Sequence, residues 1–125
     1  MKKSLLGFVK ISALAGLALL AVSCQSTHLY SWYNYQSDYY HYLKNGDEDS
    51  LDKLIKTYEK IIAKQTAERK IVPPGIYADY GYALLEKGKA KEAKAMFAKE
   101  IELYPESEPF ISAILKRFEK WKSTY

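Results

Sequence analysis

Punctuation constrains this chain more than any other feature. Stretches with helical spacing are cut at Gly46, at Val72-Pro73-Pro74-Gly75, at Gly88 and at Pro105. Proline has no amide donor and pushes the preceding residue out of the helical region, so no helix runs through positions 72–74. Glycine at the end of a periodic segment ends it in a turn. Between the breaks apolar residues recur every three or four positions, and nothing alternates as a strand does. The spacing predicts an all-α fold of about five helices arranged as antiparallel hairpins.

The first predicted helix, residues 29–43, is the most aromatic stretch, with Trp32, Tyr35, Tyr39 and Leu43 at core spacing. The second is capped by Asp49 or Ser50 and carries Leu51, Leu54, Ile55, Tyr58, Ile61 and Ile62 on one stripe. A third is expected over 76–87 and a fourth over 89–104. The fifth starts near Ser107, accepts Pro109 in its first turn, and carries Phe110, Ile114, Phe118 and Trp121. Polar residues 65–70 have no clear form.

The first 23 residues are of another kind. Lys2 and Lys3 precede a 12-residue apolar run, Ile11 to Val22, that is too short for the ~20 residues a membrane-spanning helix needs. It fits the apolar region of a secretory signal peptide. The run ends Leu20-Ala21-Val22-Ser23-Cys24, and Cys24 is the only cysteine in the chain. This segment resembles the lipobox of bacterial lipoproteins. The resemblance implies cleavage before Cys24, which then carries diacylglycerol and an N-terminal acyl chain, palmitate being the usual type. Residues 1–23 are then a lipoprotein signal peptide, 24–28 a lipidated tether and 29–125 the helical domain. Gln25 after the cysteine implies an outer-membrane address, on the periplasmic face.

Cleavage changes the charge argument. The full chain has 19 basic and 15 acidic residues, a net charge of +4. The leader removes Lys2, Lys3 and Lys10 and no acid, leaving 16 basic against 15 acidic residues. A net of +1 gives no support to nucleic-acid binding.

Residues 74–107 can be laid on the 34-residue tetratricopeptide pattern. Tyr77 and Tyr80 take its large first-helix sites and Gly81 the small site beside them; Leu84 follows, then Gly88 at the turn, Ala93 at the small second-helix site, Phe97 at the aromatic one and Pro105 at the end. Glu100 stands where a second alanine is usual. A carboxyl at a helix crossing has to be paired or solvated, so the hairpin is either splayed there or holds a partner for it. The first hairpin reads as a longer, degenerate repeat.

Leu29-Tyr30-Ser31-Trp32 with Tyr35, Val72-Pro73-Pro74-Gly75-Ile76-Tyr77-Ala78, and Tyr104-Pro105-Glu106-Ser107 with Phe110 together resemble an uncharacterised family of small Gram-negative outer-membrane lipoproteins, filed as a domain of unknown function. A glycine follows the tryptophan in that family; Tyr33 stands there in this chain. The resemblance implies a tetratricopeptide-like fold and a genomic setting beside lipoproteins similar to the curli-secretion channel. It implies no activity.

Catalytic chemistry finds little footing. His28 and His41 have no ligand or acid–base partners at useful spacing, and no phosphate loop or nucleophile elbow is present. Asp47, Glu48, Asp49 and Asp52 lack calcium-loop spacing and suit a helix N-terminus. A non-enzymatic protein without cofactor or metal is expected.

Tyr30, Tyr33 and Tyr40 form a second aromatic stripe on the predicted first helix. It either packs under the second helix and residues 65–70, or contacts a partner protein, or meets lipid headgroups. In tetratricopeptide proteins the first helix of each repeat lines the groove, which places Ala78, Tyr82, Leu85 and Glu86 there, Tyr82 foremost. The expectation is an outer-membrane-anchored adaptor or assembly factor for an envelope protein partner. A ligand-binding or membrane-surface-binding module using the Tyr-rich first helix is the alternative.

Overall fold

The computed structural model describes residues 2–10 and 27–124, with the backbone alone at Trp121 and Thr124. The apolar run, Cys24 and the side chain of Trp121 lie outside the described residues. Residues 2–10 are helical. The folded domain has α1 (Tyr35–Asn45), α2 (Glu48–Ala63), α3 (Ile76–Glu86), α4 (Ala90–Leu103), a 3-10 turn (Pro105–Ser107) and α5 (Glu108–Thr124). There is no strand among the described residues.

α1 and α2 form one hairpin, α3 and α4 a second, and α5 follows the second as a fifth helix, in a tetratricopeptide-like order. α3 is central. Its residues Ile76, Tyr77 and Ala83 join Leu51, Leu54, Tyr58 and Ile61 of α2 in one core, which Tyr35 and Tyr42 of α1 cover. Ala78, Leu84 and Leu85 join Ala93 and Phe97 of α4 and Ile111 of α5 in a second. Gly81 lets α3 and α4 meet: a Cβ there would stand 2.7 Å from Phe97 Cε1.

Several local expectations are corrected. α1 starts at Tyr35, six residues later than the aromatic spacing predicts. Residues 28–33 are instead bonded to residues 64–69, as a clasp. The amides of Glu68 and Arg69 donate to the carbonyls of His28 and Leu29 at 3.3 and 3.1 Å. The Ser31 hydroxyl accepts from the amides of Thr66 and Ala67, both at 3.0 Å. The Gln65 side chain brackets the Ser31 peptide, accepting from its N–H at 3.0 Å and donating to its carbonyl at 3.1 Å. These bonds satisfy backbone groups that a longer helix would have satisfied internally.

Tyr33 closes the clasp with φ 47°, a left-handed conformation that glycine adopts freely and other residues reach at a cost of roughly 1–2 kcal/mol. The glycine at this position in the resembled family suits that backbone. Tyr33 offsets part of the cost by donating its hydroxyl to the Lys64 carbonyl at 2.6 Å and by placing its ring 4.5 Å from the Lys60 ammonium.

The α1 face that meets α2 is Tyr35, Asp38 and Tyr42. Trp32, Tyr39 and Leu43, expected in the core, are exposed, Leu43 at 64%. Asp38 is buried because α2 supplies Thr57, whose hydroxyl donates to Oδ2 at 2.6 Å, and Lys53, whose ammonium lies 3.0 Å from Oδ1. Burial pushes the Asp38 carboxyl up, but the Thr57 bond and Lys53 outweigh it and hold it below the usual carboxylate range.

Asp47, two residues before Asp49 and three before Ser50, caps α2 by accepting from the Ser50 amide at 2.8 Å. In α5 Phe110 is 63% exposed and its neighbour Ile111 takes the core position. Ile111, Ile114, Leu115 and Phe118 then form the stripe that faces α3 and α4.

Glu100 is fully buried and the hairpin is not splayed. Its Oε1 accepts from the Gly75 amide at 2.7 Å, at the N-terminus of α3. Gly75 has φ 89°, which turns that N–H toward α4. The position at which the repeat pattern has alanine is thus used here to tie the Pro-Pro-Gly corner down. Tyr104 fastens the same corner from its other side, donating to the Val72 carbonyl at 2.7 Å.

Candidate partner-binding trough

The helix that opens each hairpin, α1 or α3, and α5 lie side by side. α1 and α3 are aligned by two tyrosine–carboxyl bonds one heptad apart. Tyr35 donates to Asp79 Oδ2 at 2.9 Å, and Tyr42 donates to Glu86 Oε2. Both pairs are separated by 44 residues, so the two helices run parallel without slippage. Burial pushes Asp79 upward from the usual carboxylate value, and the charge of Glu100 adds to that against the Tyr35 bond. Burial, followed by Glu86, raises the Tyr42 hydroxyl to about 12.

Two hollows follow from this arrangement and share Tyr82 and Glu86. One, of about 270 Å³ between α1 and α3, is lined by Tyr39, Tyr42, Leu43, Tyr82 and Glu86 among others. The other, of about 440 Å³ between α3 and α5, is lined by Tyr82, Leu85, Glu86, Ile114, Arg117 and Phe118. Together they make a trough with aromatic and aliphatic walls, Leu85 in its floor and Tyr82, 51% exposed, on the ridge between its halves. Glu86 and Arg117 supply opposite charges along it.

The residues singled out in the sequence are dispersed. Tyr82 is central to the trough, with Leu85 and Glu86 beside it; Ala78 is buried in the second core and lines neither hollow. Tyr30, Tyr33 and Tyr40 do not share a helix face, because the first two precede α1. Tyr30 is half-buried in the clasp, where Arg69 donates to its hydroxyl at 2.9 Å. Tyr40 is 62% exposed on α1 and lines neither hollow. Cys24 lies outside the described residues.

Tyr39, Leu43, Ile114, Arg117 and Phe118 were not marked as trough residues by the sequence. Their spacing is that of an amphipathic core face, and only the placement of α1 and α5 against α3 leaves them open. A separate hollow of about 810 Å³ lies at the clasp, lined by His28, Tyr30, Ser31, Trp32, Tyr33, Gln36 and Thr66 among others.

A family model described as a domain of unknown function, DUF4810, matches residues 29–114. This chain belongs to the DUF4810 family. The match runs from the clasp through both hairpins into α5, so both hollows are built largely from family sequence. No curated protein and no solved structure matches the chain. Among the described residues no group of His, Cys, Asp and Glu is placed to hold a metal ion, and no helix is long and apolar enough to cross a membrane. The trough offers rings, methyl groups and tyrosine hydroxyls.

Proposed function

We propose that this protein is a non-enzymatic adaptor or assembly factor, anchored in the outer membrane through lipid on Cys24 and facing the periplasm. One observation carries the adaptor reading: the open trough across α1, α3 and α5, in which Tyr39, Leu43 and Tyr82 are exposed. Aromatic residues held on a rigid helical frame lose little entropy on binding and are enriched at protein interfaces. The partner we propose is an envelope lipoprotein similar to the curli-secretion channel.

A photo-crosslinking amino acid at position 82, compared with one at Lys94 on the exposed side of α4, tests this in intact cells. The reading expects one envelope protein crosslinked from 82 and none from 94. Equal labelling from both positions, or none from 82, overturns it. The lipid is tested separately, by the mass of the N-terminal peptide beginning at Cys24.

A further inference from the structure

The clasp fixes the point at which the chain enters the fold. His28 is held by the Glu68 amide, and only Gln25, Ser26 and Thr27 separate it from Cys24. At ~3.5 Å per residue, His28 stands within about 15 Å of the Cys24 backbone however those residues are arranged. Whatever face surrounds His28 is therefore the face nearest an anchor at Cys24.

That face has a distinct composition. Leu29, Trp32, Tyr33 and Ile71 are exposed there. Positions 60–71 carry the exposed cations Lys60, Lys64, Arg69 and Lys70 against a single carboxylate, Glu68. Residues 28–34 carry none. The cations and rings are interleaved: Lys60 sits 4.5 Å from the Tyr33 ring, and Arg69 5.7 Å from the Tyr30 ring. In a chain whose mature net charge is +1, this is a local concentration of positive charge. Trp and Tyr settle at the headgroup level of a bilayer, and Lys and Arg reach past them to phosphates.

We propose that the clasp is a membrane seat, with Leu29, Trp32, Tyr33 and Ile71 lying at the headgroup layer and Lys60, Lys64, Arg69 and Lys70 contacting anionic phosphodiester headgroups. This rests on the reading of Cys24 as the anchor. The lipid keeps the protein at the bilayer; the seat sets its orientation, and so holds the trough at one angle for its partner. A lone tether would leave the domain free to tumble.

The test uses the mature protein with Trp121→Phe, which leaves Trp32 as its one tryptophan, reconstituted in vesicles of phosphatidylethanolamine and phosphatidylglycerol containing brominated lipid. The seat expects Trp32 fluorescence to be quenched at least twofold, and less in vesicles of phosphatidylcholine alone. Lys64→Glu with Lys70→Glu should reverse the effect, since each cation near an anionic surface is worth about fivefold in partitioning. If Trp121→Phe does not fold, subtracting the signal of a Trp32→Phe variant from that of the unaltered protein gives the same reading. Trp32 that is unquenched, or quenched equally whatever the lipid charge and in the reversed variant, overturns the proposal. An unmodified Cys24 refutes the anchor, while Trp32 quenching still reports the seat.

Discussion

Replacing Gly81 by alanine sets two well-known effects against each other. In the interior of an exposed helix the change stabilises by about 1 kcal/mol, because alanine has the higher helix propensity. Here the new methyl would lie 2.7, 2.9 and 3.0 Å from Phe97 Cε1, Cδ1 and Cζ. Carbon atoms prefer separations of about 3.5–4.0 Å, so the ring or the helix has to move by the better part of an ångström. Phe97 has little room to yield: it is 1% exposed and enclosed by Ala78, Leu84, Ala93 and Ile111. Overpacking of this kind costs about 1–3 kcal/mol. After the propensity gain, Gly81→Ala should destabilise by about 1 kcal/mol, and by up to about 2. The assay is urea unfolding followed by circular dichroism. It should show a lower midpoint at unchanged slope, with a fall in Tm of about 4–8 °C per kcal/mol. A second variant, Phe97→Leu, makes room for the methyl. The double variant should cost less than the two single changes together. A Gly81→Ala midpoint at or above that of the parent, or strict additivity in the pair, would refute the argument that Gly81 is there to admit Phe97.

Three further outcomes are expected. Glu100→Ala leaves the Gly75 amide without its acceptor and should cost about 1–3 kcal/mol in urea, although alanine is the usual residue of the repeat; a neutral result would mean that the corner is held without it. Asp38 has a folded-state value below the unfolded 3.8, so the stability it contributes is present above that value and is lost as pH falls through the folded one. The acid limb of a stability–pH curve should accordingly flatten in Asp38→Asn, and a limb as steep as the parent's would show that the carboxyl gains nothing from Thr57 and Lys53. At position 33, Tyr33→Ala keeps the left-handed backbone and loses the Lys64 and Lys60 contacts, whereas Tyr33→Gly loses the contacts and relieves the backbone. Glycine should be the more stable of the two by about 1 kcal/mol, and equal midpoints would show that the backbone is unstrained.

The helix boundaries legible in the sequence are those set by local covalent chemistry. Gly46, Gly88 and Pro105 act on dihedrals within a residue or two of themselves, and the first, third and fourth helices end within about two residues of where these signals place them, whereas α2 ends at Ala63, well before Pro73. The close approach at Gly81 and the core role of Phe97 were legible too, since both lie inside one hairpin of known pattern. The trough was half legible. Tyr82, Leu85 and Glu86 belong to that same hairpin, whereas Tyr39, Leu43 and Phe118 come from helices outside it.

The rest was decided by partners far along the chain. The aromatic run at 29–34 has helical spacing, yet its backbone groups bond to a segment more than 30 residues away, and that segment determines its form. Glu100 departs from the repeat pattern because the Gly75 amide, 25 residues earlier, stands opposite it. Asp38, a polar residue among aromatics, is buried because Thr57 and Lys53 come from α2 to receive it. Periodicity says which residues share a helix face; it does not say which face meets which neighbour, or where a strained residue such as Tyr33 interrupts the helix. In this protein the sequence by itself determined where the first, third and fourth helices stop, because backbone sterics act at short range. Tertiary structure alone decided which of its many rings are core, clasp or open surface, because that depends on hydrogen bonds and packing between segments distant in the chain.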